Sequence, residues 1–338
     1  MKNIKEFFTY CFKKTGKSIW NLLKLMIPVS IIIHCIQLAG ILPYLSNILS
    51  PIMKVVNLPV ETALVWVTAM VVNIYGGLLS LFSIYSSLAE PLTVAQMTTL
   101  LTMILIAHTF PIELGIANKT GIKVWVMFLI RFGCGIIAGI FLAWFYKATN
   151  WCQTPVTIAN TFSADTPTWS SWALHELKNY GMIACIIFTL VTLIHLLEVT
   201  GAINWLNKLI LPALQWLGIS STLLPLTVAG LSLGIAYGGG LIIEEGKRPD
   251  VKAKDIFYAM TLMGVFHSIF EDTILMLSMG GHWSGIIVFR MLFAFLVTYI
   301  IMRWCNSQSD ETFDRRVMTK SYRKHKQTIL AQQINKNN

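Results

Sequence analysis

Long apolar runs separated by short polar punctuation dominate the chain. Six of them, at 18–40, 95–117, 122–147, 180–201, 255–279 and 283–304, are long enough to cross a bilayer as helices. Two more, 60–83 and 221–243, are interrupted by glycine-rich cores, "NIYGG" (73–77) and "AYGGG" (236–240), and read as re-entrant or broken segments. The alternative for Tyr75-Gly76-Gly77 and Tyr237-Gly238-Gly239 is a close helix-packing surface, since glycine is common in membrane helices. Residues 1–17 are basic and amphipathic without a small-residue cleavage site, which predicts an interfacial helix running into the first span rather than a cleaved signal.

The pattern repeats itself at an offset of about 160 residues. "HCIQLAG" (34–40) matches "HLLEVTG" (195–201), with Pro51 and Pro212 equally spaced beyond. Tyr75-Gly76-Gly77 matches Tyr237-Gly238-Gly239, "HTFPIE" (108–113) matches "HSIFED" (267–272), and Arg131 matches Arg290. The organisation predicted is an N-terminal segment (1–17), a first repeat (18–147), an external loop (148–179) bearing Trp151, Trp169 and Trp172, a second repeat (180–304) and a basic cytoplasmic tail (305–338), solvated or touching lipid.

Charge indicates how the repeats are oriented, because Lys and Arg accumulate on the cytoplasmic side. Lys13, Lys14 and Lys17 place the N-terminus inside, as Arg315, Arg316 and Lys320 place the C-terminus. "SIYSSLAEPLTVAQ" (83–96) has no basic residue, whereas its partner "EEGKRPDVKAKD" (244–255) has four; "NKTGIK" (118–123) has two, and "GGHWSG" (280–285) none. Matching loops on opposite sides require an odd number of crossings per repeat. The fold predicted is therefore an all-α integral membrane protein with an inverted three-plus-three repeat and a Gly-tipped re-entrant or broken segment in each half.

Composition agrees. With 55% hydrophobic residues, 12% charged and a mean hydropathy of +0.64, the 338-residue chain is too apolar for an ordinary soluble domain. The net charge of +10 follows from the basic residues that flank the spans and fill the tail, so nucleic acid is not implied; membrane lipids are. With Cys11 and Cys305 inside, Cys35, Cys134 and Cys185 in the bilayer and Cys152 alone outside, no disulfide is expected.

Ionisable residues within the spans carry the candidate chemistry. Each costs roughly 3 kcal/mol to insert, so such residues face cavities, pair with one another and mark pathways. His108, Glu113, His267, Glu271 and Asp272 are candidates for substrate or ion binding, with Arg131 and Arg290 as counter-charges. Pro111 predicts a helix break beside His108, freeing backbone carbonyls; the second half has no proline there and its acids appear shifted by one position. A purely structural reading, in which the arginines neutralise the acids and lock helices together, stays open. His34 with Gln37, and His195 with Glu198, form a second matched set, each pair on one helix face, as interhelical hydrogen bonders or ligands. Imidazole with carboxylate suits first-row metals, but the spacing is no known metal signature. H-E-x-x-H, G-x-S-x-G, Cys-x-x-Cys and the phosphate-binding G-x-x-x-x-G-K-[ST] are all lacking, so neither an enzyme nor a cofactor is expected.

The duplicated unit, with its Gly-rich turn followed by "GLIIEEGKRP", a polar break in the next helix and an arginine in the last, resembles the Gate domain shared by nucleoside-recognition proteins, spore maturation proteins A and B and the membrane portion of the bacterial ferrous-iron transporter. The resemblance covers about residues 20–304 as two Gate units. It implies a transporter or permease of the bacterial inner membrane, moving a small polar or cationic solute, nucleoside-like or ionic, through a midplane site between the repeats. A divalent-metal permease and a non-transporting accessory or scaffold subunit are the alternatives. Homo-oligomerisation is compatible with either reading.

Overall fold

The computed structural model describes residues 4–38, 42–85, 88–156, 169–246, 248 and 251–337, less a number of side chains in the first, second, eighth, ninth and last helices. All its regular elements are helices: α1 (Ile4–Leu38), α2 (Leu42–Val55), α3 (Thr62–Val71), α4 (Ile74–Tyr85), α5 (Val94–Ile106), α6 (Phe110–Lys119), α7 (Val124–Thr149), α8 (Trp169–Val199), α9 (Ala202–Trp216), α10 (Leu224–Leu233), α11 (Ile235–Glu245), α12 (Ala253–Val265), α13 (Glu271–Ser278), α14 (Arg290–Asn306), α15 (Asp310–Val317) and α16 (Lys320–Asn337), with a π-helical turn at Ser284–Phe289 leading into α14. Among the described residues four helical stretches, Val94–Lys119, Val124–Thr149, Trp169–Leu193 and Ser284–Asn306, are long and apolar enough to cross a membrane. The protein is an all-α membrane protein.

The expected span 255–279 is not one helix. It consists of α12 and α13, separated at residues 266–270. The stretch from Val94 to Lys119 divides at the corresponding place, between α5 and α6. α8 begins at Trp169, ahead of the expected boundary at 180, and residues 157–168 of the expected external loop lie outside the described residues.

The chain forms two compact units, and neither is a contiguous half. The first comprises Met1–Thr109, Gly135–Ala202 and Glu271–Ile286; the second comprises Phe110–Cys134, Ile203–Phe270 and Ile287–Asn338. α6, from the first sequence repeat, thus belongs to the second unit, and α13, from the second repeat, to the first.

In the first unit α3 and α4 form a tight helical hairpin. Asn73 caps α4, its side-chain oxygen accepting from the Gly76 amide at 2.8 Å. The return helix comes so close that a Cβ on Gly77 would lie 2.7 Å from the Ala69 Cβ. Trp66 and Phe82 are buried in this core, and Gly135 and Gly139, a small-xxx-small pair on α7, face Trp66 and Met103. α1 packs along α8. At one end of the unit, loops expected to lie outside join: the Val94 amide donates to the Thr154 carbonyl (2.9 Å), and the His282 amide to Thr98 (2.8 Å).

In the second unit α10 and α11 repeat the hairpin with a different turn. Gly234 takes φ +102°, a conformation that side-chain-bearing residues avoid, and a Cβ on Gly238 would lie 2.3 Å from the Gly230 Cα. In both hairpins the Tyr-Gly-Gly glycines sit inside a helix and the break precedes them, at Asn73 in the first and at Gly234 in the second. The sequence's two readings of this motif, broken segment and close packing surface, describe one object.

The tail is not a free extension. Phe313 of α15 is buried against Phe257, with ring centroids 5.6 Å apart, and Lys254 pairs with Asp310 at 2.7 Å. Met318 pairs with Ile122 across a short antiparallel bridge, and the Thr319 amide donates to the Gly121 carbonyl at 2.7 Å. Lys326 donates to the Val251 carbonyl. The loops expected to lie inside are thereby tied together through the tail.

Candidate functional site

Each unit holds a buried histidine at the end of a broken helix. In the first, α5 ends at Ile106, His108 follows, and Thr109 turns the chain with φ +51°. In the second, α12 ends at Val265, His267 follows, and Ser268 turns with φ +49°. Such turns leave carbonyls at the helix end short of helical partners, and in a membrane each needs one. The histidines add to them: His108 Nδ1 lies 2.9 Å from the Ile104 carbonyl, which also accepts from the Ala107 amide, and His267 Nδ1 2.7 Å from that of Met263. The break in turn closes the neighbouring hairpin, the Thr109 amide donating to Ala69 at the end of α3 and the Ile269 amide to Leu231 at the end of α10, both at 2.9 Å.

Pro111 is not the cause of the first break. It is the second residue of α6, where a missing N–H leaves no bond unmade, and the second repeat breaks at the matching place without a proline.

Because a carbonyl only accepts, Nδ1 of each histidine must carry the proton. Nε2 therefore points its lone pair outwards when the ring is neutral. In the second unit it faces a carboxylate: His267 Nε2 lies 3.4 Å from Glu113 Oε1, both side chains buried. Glu113 also pairs with the fully buried Arg131, whose guanidinium lies over the Phe110 ring at 5.3 Å. Arg290, equally buried, donates to the His267 carbonyl at 2.8 Å and rests over Phe266 at 5.0 Å. Arg290 therefore caps the broken end of α12 through bonds to carbonyls, a role beyond that of counter-charge.

In the first unit His108 Nε2 lies 4.0 Å from Asp272 Oδ2, and Tyr75 donates to Glu271 at 3.3 Å. The counterpart of Glu113 is thus Asp272, five residues after its histidine, with no shift between the repeats; Glu271 is additional and exposed. Tyr237, the match of Tyr75, is exposed. Thr109, Ser268, Phe110 and Phe266 escaped the sequence reading. A hydroxyl residue following histidine in both "HTFPIE" and "HSIFED" was the available signal.

The second matched set has a different setting. His34 of α1 stacks on Trp172 (4.6 Å) and meets Trp169 edge-on (4.7 Å), both from α8, while His195 of α8 lies against Phe7 (4.9 Å) and Tyr10 (4.2 Å) of α1. These contacts are aromatic helix packing. The side chains of Gln37 and Glu198 lie outside the described residues.

Against this geometry, the chain is 24% identical over 304 residues to the uncharacterized membrane protein YvoD of Bacillus subtilis (strain 168), covering 88% of this chain and 95% of that one. No protein-family model matches, so the Gate-domain likeness rests on the sequence motifs alone. No solved structure matches either.

Proposed function

We propose that the protein is a permease of the bacterial inner membrane that moves a small polar or cationic solute, using the His267–Glu113 and His108–Asp272 pairs to bind solute or a coupling proton. The observation that carries this reading is the second unit's pair. With Nδ1 committed to Met263, a neutral His267 would set its Nε2 lone pair against the Glu113 carboxylate. Such an arrangement is relieved by a cation at Nε2, either a proton or a bound charged group. Arg131 fixes the carboxylate, so the exchangeable species sits on the histidine side. The same nitrogen-and-oxygen donor set suits a divalent first-row metal, which supports the metal-permease alternative with the ion as cargo. Both termini are cytoplasmic in this reading, which the basic loops gathered by the tail support.

The test is uptake into proteoliposomes with and without an inward proton gradient, offering nucleosides and divalent metals in parallel. Accumulation of one class, lost in Glu113→Gln, is expected. If neither class enters, and neither stabilises the purified protein, the transport reading fails and the accessory-subunit reading takes its place.

A further inference from the structure

One groove in the second unit takes no part in the chemistry above. It is an open cleft of about 560 Å³, lined by Leu129 and Ile130 of α7, Ile301 and Trp304 of α14, and Trp125, Lys123 and Arg316. That volume falls within the range of about 300–1,000 Å³ typical of small-molecule sites. The lining divides by chemistry. Leu129, Ile130 and Ile301 form an apolar track; Lys123, directly before α7, and Arg316, at the end of α15, mark one end of it. Trp125 and Trp304, about half exposed at 56% and 48%, lie in the first turn of α7 and near the last of α14, where a tryptophan sits at headgroup depth.

The cationic end is built into the fold. Lys123 donates to the carbonyls of Arg315 (2.6 Å) and Arg316 (3.0 Å), which uses two of its three hydrogens. The Arg316 guanidinium donates to Gln308 at 3.2 Å. Burial, and then the positive Arg323 and Lys320, hold the Lys123 pKa below the usual lysine value. A negative charge at this point would reverse that strain.

We infer that the groove is a binding site for one anionic glycerophospholipid, with its phosphate at Lys123 and Arg316 and an acyl chain along Leu129, Ile130 and Ile301. Charge complementarity selects the headgroup, and the apolar track selects a lipid over a soluble anion. Because Arg316 belongs to the tail and Leu129 to α7, the lipid would fasten α15 to the membrane-facing surface.

The experiment uses the full-length protein, purified in detergent, stripped of lipid and titrated with phosphatidylglycerol or with phosphatidylcholine of the same acyl chains, with retention read by native mass spectrometry. Two basic contacts predict roughly thirty-fold tighter retention of phosphatidylglycerol. Arg316→Gln should remove most of that preference, and Ile130→Trp, which fills the track and leaves the charges, should expel both lipids. Arg316 is the charge to alter, since Lys123 also holds the tail through carbonyl bonds. Equal retention of the two lipids, or unchanged retention in Arg316→Gln, overturns the inference. So does Ile130→Trp binding phosphatidylglycerol normally, which would mean surface attraction to the basic tail, and so does full competition by glycerol phosphate, which would mean a soluble anion.

Discussion

Single residues separate into two energetic classes, and substitution tells them apart. Arg131 is fully buried beside Glu113, so Arg131→Ala strips a buried carboxylate of its permanent counter-charge and is expected to cost about 3–5 kcal/mol, seen as lost folded yield. His267→Ala removes a ring that caps one carbonyl, so thermal unfolding should fall by a smaller amount, about 1–3 kcal/mol. Ligand-dependent stabilisation should disappear in that variant. If His267→Ala loses folded yield as severely as Arg131→Ala yet keeps ligand response, the ring is a structural cap and the binding role is wrong. The sequence disclosed which residues these are, through repetition. It could not disclose the second bond of each histidine, because Nδ1 finds its carbonyl only after Thr109 or Ser268 has turned the chain, and no pattern of apolar positions records that turn.

At the scale of elements, the helical hairpins depend on particular glycines. In "YGGG" the Gly238 position leaves no room, since an added Cβ would meet the Gly230 backbone at 2.3 Å, whereas nothing lies within 4 Å at Gly240. Gly238→Ala should therefore force α10 and α11 apart, at a cost of about 1–3 kcal/mol. Gly240→Ala should be neutral, or stabilise by up to about 1 kcal/mol through helix propensity. Thermal unfolding of the two purified variants decides the point; equal effects would show that the hairpin is looser than described. Hairpin positions were legible because glycine clusters interrupt apolar runs. Their helical state was not, since glycine's low propensity argues against helix and only close packing overrides it. The docking of the tail was missed for a similar reason: α15 and α16 look solvated by composition, and only Phe313 and Val317, four residues apart, with Met318, hint that one face is buried.

For the whole molecule, topology is the property most open to test. Glu90 and Lys252 lie on sequence-matched loops, are both exposed, and are expected on opposite sides of the membrane. In a cysteine-free background, Glu90→Cys should react with an impermeant thiol reagent in intact cells, and Lys252→Cys only after the membrane is opened. Reaction of both from the same side would remove the basis for an inverted repeat. The all-α membrane class could be read from the chain. The composition of the two compact units could not, because periodicity assigns each helix to its repeat and says nothing of which unit receives it. That assignment matters during synthesis. The first unit lacks α13 until residue 286 has been made, long after Thr109, and at about 5–20 residues per second the wait is on the order of ten seconds or more. Throughout that interval Glu271 and Asp272 do not yet exist to meet Tyr75 and His108.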